Sequence, residues 1–145
     1  MTKAGTSVVD MKRLDGAEVA LRLGAFLAER EADPATRGAA VAVVGAGGDL
    51  VAFGAHTSCP SLPRLLAPRK ALTALLFRRP SAVVAREVKE GALDLAPFHD
   101  PRMLAMAGGL PLVCAGEVIG AVGVSGLPPA QDVAVAEAFA RGLLA

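Results

Sequence analysis

A chain of 145 residues with a formal net charge of +1 has the size of one domain, and its balanced charge excludes the basic surplus of a nucleic-acid or anionic-membrane binder. Hydrophobic residues make up 53% of it and its mean hydropathy is +0.49, so surplus apolar surface is expected to be buried by self-association into a homo-oligomer. Every apolar run is interrupted well short of the roughly 20 residues a membrane-crossing helix needs, and Met1–Arg13 lacks the apolar core of a signal peptide.

Residues 1–14 are polar and mixed, and read as an arm that docks only at its end; residues 15–145 read as a single domain. Asp15 is placed to cap a helix running to about Ala32, with Val19, Leu23, Phe26, Leu27 and Arg30 at helical spacing. Asp33-Pro34 ends it. Gly38–Val44 is an apolar strand, Ala46-Gly47-Gly48-Asp49 a turn, and Leu50–Ala55 the returning strand. Gly45-Ala46-Gly47-Gly48 matches part of a dinucleotide-binding fingerprint, but a strand follows at once, leaving no helix N-terminus to hold a pyrophosphate.

His56–Pro63 is a loop, followed by a helical segment to Arg79 with Leu65, Leu72, Leu75 and Leu76 expected to face the core. Pro68 is expected either to begin this helix or to kink it just before Arg69 and Lys70. Ser81–Glu90 reads as a short helix closed by Gly91, and 92–107 as irregular. Strands on either side of a turn at Ala115-Gly116-Glu117 make a second hairpin. Simple alternation puts Val118, Gly120, Val122 and Val124 on one face, and Ile119, Ala121, Gly123 and Ser125 on the other. Glycine within a strand marks a close approach by a helix, a ligand or another chain. After Pro128-Pro129 a terminal helix, Ala130–Leu144, carries a stripe of Val133, Ala136, Phe139, Ala140 and Leu143.

Cys59 and Cys114 lie far apart without metal-ligand spacing, as expected of reduced thiols in a cytoplasmic protein. Cys59-Pro60 has the form of a haem-ligating dipeptide, whereas Cys114, within a strand, reads as a small core residue. His56 and His99 are the two histidines, both in loops; a loop histidine is either a solvated side chain or a general base or haem ligand. Arg64, Arg69, Lys70, Arg78 and Arg79 concentrate positive charge on and around one helix, where Lys70 and Thr73 share a face suited to a carboxylate or phosphate.

These residues resemble a known family. Lys70-Ala71, Thr73-Ala74 and Phe77, then Gly108-Gly109-Leu110-Pro111, Gly116-Glu117-Val118-Ile119-Gly120, Gly123-Val124-Ser125-Gly126 and Gln131-Asp132 are similar to the GlcG/HbpS-like family, as is Val43-Val44-Gly45-Ala46-Gly47-Gly48-Asp49-Leu50. The resemblance runs from about Gly16 to the end. It implies an α+β, profilin-like fold with a central antiparallel sheet flanked by helices, and an oligomer. Its characterised members include extracellular haem-binding and haem-degrading proteins and a domain appended to corrinoid adenosyltransferases. This chain departs from the family pattern at Gly45, where an aspartate is usual, at Ala55-His56-Thr57-Ser58-Cys59, where Arg-Met-Asp-Gly-Ala is common, and at Pro68.

Two readings follow. In the first, the protein binds a small molecule, haem or another tetrapyrrole first, between the His56 loop, the Lys70 helix and the Gly108-Gly109 strand, with His56, Cys59 and His99 as axial donors and Arg69 and Thr73 nearby. In the second, it is a cofactor-independent biosynthetic enzyme acting on a small anionic substrate. There His56 is the acid/base, Lys70 or Arg69 holds the anion, and the Gly108 and Gly109 amides steady developing negative charge. A structural or regulatory oligomer is a third possibility.

Overall fold

The computed structural model describes residues 12–145. The expected arm falls largely outside them; at its end Leu14 packs against the core. The order is α1 (Gly16–Arg30), β1 (Ala40–Gly45), β2 (Leu50–Ala55), α2 (Ser61–Phe77), α3 (Ser81–Lys89), a single 3-10 turn at Ala96–Phe98, β3 (Gly109–Cys114), β4 (Glu117–Ser125) and α4 (Pro129–Leu144). The fold is α+β, and two hairpins join through β1 and β4 into one sheet ordered β2-β1-β4-β3, antiparallel throughout. The second hairpin closes through Ala115 and Gly116, both at positive φ (50° and 79°), the backbone that two-residue hairpin turns require.

One face of the sheet carries α1 and α4, whose Val19, Leu23, Val135 and Phe139 close on Val41, Val43, Val122 and Val124. Asp15 starts α1 as expected, accepting from the Glu18 amide at 3.2 Å. The other face is covered mainly by α2, whose Ala67, Ala71, Leu72 and Ala74 meet Ala40, Ala42, Val44 and Ala121, with α3 touching β3 at Gly109.

Close packing explains where α2 departs from expectation. A Cβ on Gly123 would overlap the Ala67 carbonyl oxygen and stand 2.6 Å from the Ala71 amide, and one on Gly109 would overlap the Lys70 carbonyl. The helix backbone therefore lies directly on the strands, and only small side chains fit between. Ala67, Lys70, Ala71 and Ala74 form that seam, at the i, i+3, i+4, i+7 spacing of one helix face. Leu65 and Leu76 each lie two residues outside it, about 200° around the helix, and are 67% and 46% exposed instead of facing the core. Nor does Pro68 begin the helix, which starts at Ser61 and runs through it. The hydrogen bond Pro68 removes, with its ring clash costing about 3 kcal/mol in an ordinary helix, is offset by the buried residues on either side.

The second departure lies in β4. Leu112 pairs with Gly120 but Val113 with Val118, which leaves Ile119 as an extra residue. This bulge reverses the alternation at the strand's start: Val118 joins the α2 side with Ala121, and Ile119 joins Val122 and Val124 opposite. A matching break in β1–β2, between Val43↔Ala52 and Val44↔Leu50, leaves Val51 unpaired.

Candidate functional site

The lysine of the seam is sealed. Lys70 is 2% exposed; its Nζ donates to the Val124 carbonyl at 3.1 Å and to Asp132 Oδ2 at 3.2 Å. Asp132, in the first turn of α4, is 3% exposed and takes the Leu127 amide on Oδ1 at 3.1 Å. Burial pushes the Asp132 carboxyl above the usual aspartate range, while the Lys70 ammonium and the Leu127 amide pull it back. One ion pair thus ties α2, β4 and α4 together at the end of the sheet where β3 begins and β4 ends. Gly108 arches over it: a Cβ there would stand 2.9 Å from Lys70 Cδ and 3.1 Å from Nζ.

Neighbouring polar groups are also engaged. The Gly109 amide donates to Ser81 Oγ at 2.7 Å, which locks α3 to β3. Thr73 Oγ1 donates to the Arg69 carbonyl at 2.8 Å and accepts the Leu104 amide at 2.8 Å. Thr73 is fully buried and anchors the irregular 92–107 segment to α2.

His56 is in a loop, as its sequence position indicates, but its side chain is neither solvated nor free. It is 4% exposed. Nδ1 accepts the Gly38 amide at 3.1 Å and Nε2 lies 2.9 Å from the Leu27 carbonyl, so both ring nitrogens are engaged within the fold. Arg64 fastens the same loop from α2, donating to the carbonyls of Cys59 and His56, each at 3.0 Å. Cys59 is 5% exposed, and burial holds its thiol above the usual range, away from the thiolate a soft metal ligand needs.

His99 is placed otherwise. It follows the 3-10 turn in a left-handed conformation (φ 50°), its residue is exposed, and its ring makes no hydrogen bond to another described residue. Phe98 beside it is 50% exposed and meets Phe77 edge-on at 5.7 Å, and Met106 is 42% exposed. Arg69 reaches under the same loop, donating through Nη2 to the Pro101 carbonyl, with its Nε buried and unpartnered.

The structure therefore brings Lys70 together with Gly108 and Gly109, joins Arg69 and Thr73 to the 99–104 segment, and ties His56 and Cys59 to Arg64. His56 and Lys70 are each buried and hydrogen-bonded within the fold. Asp132 was missed as an individual residue, and Arg64, named only as part of the basic concentration, was not foreseen as the clamp on the His56 loop. Asp132 stood only within a motif, and nothing local marks an aspartate 62 residues away as the partner of Lys70. Among the described residues, no group of three His, Cys, Asp or Glu side chains is placed to hold a metal ion, and no helix is long and apolar enough to cross a membrane.

Comparison with known proteins accords with this architecture. The chain is 36% identical over 97 residues to Protein GlcG of Escherichia coli, spanning 67% of this chain and 71% of that protein. A double mutant of Streptomyces reticuli HbpS superimposes with a TM-score of 0.81 at 25% identity, over 99% of this chain and 95% of that one. A structure described as a PduOC:Heme complex gives 0.78 at 23% identity, over 90% and 94%. The family described as haem degrading protein HbpS-like matches residues 16–141, and with the sheet order, the glycine seam and the Lys70 helix in place, the chain belongs to that HbpS-like family.

Proposed function

We propose that this protein is a homo-oligomer that binds a small planar, carboxylate-bearing ligand of the haem class, with His99 as the axial donor. Family membership supports the ligand class, since the relatives include a haem degrading description and a haem complex. The observation that selects the residue is the exposed His99 ring, which makes no hydrogen bond to another described residue and follows the exposed Phe98. Of the three donors considered, His56 has both nitrogens engaged and Cys59 is a buried thiol. Haem would supply an iron that accepts an imidazole nitrogen. The chain would supply that nitrogen, apolar contact from Phe98 and Met106, and a guanidinium at Arg69 for a carboxylate. Self-association is supported by exposed Leu21, Leu50, Leu62 and Leu65, each more than half exposed.

Titration with hemin tests the assignment: the Soret band shifts for the native chain, and His99→Ala loses the shift while melting at an unchanged temperature. An unshifted native spectrum, or a full shift in His99→Ala, overturns it. Light scattering on the eluted protein reports the subunit number. The cofactor-independent enzyme is the weaker reading, because His56, Lys70 and the Gly109 amide are each already hydrogen-bonded within the fold.

A further inference from the structure

The two strand irregularities meet at one place. Val51, the residue left unpaired in β2, and Ile119, left unpaired in β4, lie on either side of β1 and line a single cavity of about 480 Å³ at the turn end of the sheet. That end is opposite the Lys70–Asp132 pair, as the register runs from Ala40↔Ser125 to Gly45↔Gly120. The extra residue of a bulge re-aims a side chain, and bulges gather beside functional sites. Here two of them direct aliphatic side chains into one space.

Between those walls the sheet presents no side chains, because Gly45 pairs with Gly120. A Cβ at Gly45 would stand 2.8 Å from Asp49 Oδ1 and 3.2 Å from Oδ2, so the Asp49 carboxylate lies over the bare backbone of Gly45. Lys12 and Arg13 also line the cavity. Among the described residues its charged groups are thus two cations and one carboxylate, a surplus of a single positive charge above an aliphatic floor.

We propose that this cavity is a second binding site, for a small organic monocarboxylate whose apolar body rests on Val51 and Ile119 and whose far end donates a hydrogen bond to Asp49. Charge selects the class. A monoanion neutralises the surplus, whereas a phosphate dianion overshoots it and meets Asp49 at short range. The site shares no residue with the His99 surface and stands or falls independently of the haem reading.

The test is methyl NMR on the full chain, labelled at isoleucine and valine, with 4-hydroxybutyrate and inorganic phosphate as probes. The expected result is saturable movement of the Val51 and Ile119 methyls with 4-hydroxybutyrate and none with phosphate. Lys12→Gln with Arg13→Gln should weaken that binding about tenfold, the loss of roughly 1.4 kcal/mol, and Asp49→Asn should admit phosphate. All of these side chains are at the surface, so the fold survives their exchange. Methyls that do not move, affinity unchanged in the double variant, or phosphate bound as well as 4-hydroxybutyrate would overturn the proposal.

Discussion

Replacing Lys70 by methionine keeps the length of the side chain and removes its charge, leaving the Asp132 carboxylate 3% exposed with only the Leu127 amide as partner. Breaking a buried pair from one side costs about 3–5 kcal/mol, because the remaining charge is uncompensated. Unfolding entropy near the midpoint is about 2.1 cal/mol/K per residue, or roughly 0.3 kcal/mol/K for a chain of this length. Lys70→Met should therefore lower Tm by about 10–16 °C. The double variant Lys70→Met with Asp132→Leu removes both charges, and unpairs only the Val124 carbonyl and the Leu127 amide. It should recover at least about 1 kcal/mol relative to the single variant, the lower end expected for apolar replacement of a buried pair. Urea unfolding at fixed protein concentration, with all four members of the cycle, measures the coupling. If Lys70→Met costs under about 1 kcal/mol, the value of a surface pair, or if the two single effects simply add, the sealed-pair account fails.

The remaining predictions concern the seam, the thiols and pH. Gly123→Ala drives a Cβ into the Ala67 carbonyl and to 2.6 Å from the Ala71 amide; since helix backbone cannot swing aside, about 1–3 kcal/mol or more should be lost in urea unfolding, and a neutral substitution would contradict the close packing. Cys114, partly accessible, should be alkylated by iodoacetamide in the folded chain well before Cys59, whose buried thiol waits for unfolding; mass mapping showing the reverse order would count against the burial. Burial holds the folded Asp132 carboxyl above its ordinary 3.8, so the folded chain keeps a proton that the unfolded chain releases. Its contribution is fully present below pH 3.8 and is lost as pH rises through the raised folded pKa. Asp132→Asn should abolish that fall in stability. Asp100 runs the other way: hydrogen bonds from Arg102 hold it below the usual range, so its contribution is present above 3.8 and lost as pH falls through the lowered folded pKa. A pH series of urea midpoints on Asp132→Asn and Asp100→Asn should give slopes of opposite sign relative to the native chain; like signs would refute the pair of assignments.

Local chemistry was legible wherever one stretch of chain decides it. Asp15 caps α1, the Leu50–Ala55 strand has the bounds its alternation indicated, and the Ala115-Gly116 turn adopts the positive φ values that a short hairpin needs. Residues whose role depends on a distant surface were not. Leu65 and Leu76 look like core leucines until α2 is seen to press its alanines, not its leucines, onto Gly109 and Gly123. The bulges at Val51 and Ile119 are invisible locally, because a register break belongs to two strands at once.

By itself the sequence determined the elements and the antiparallel class, since caps, turns and hydrophobic periods act over a few neighbouring residues, and its ordered motifs carried the resemblance to the HbpS-like family. Only the tertiary structure decided which polar groups are free. The Gly38 amide, the Leu27 and Val124 carbonyls and the Asp132 carboxylate, all remote in the chain, are the hydrogen-bond partners that occupy His56 and Lys70, whereas the His99 residue is left exposed. A side chain's availability is set by what the whole fold packs against it, and no local pattern carries that information.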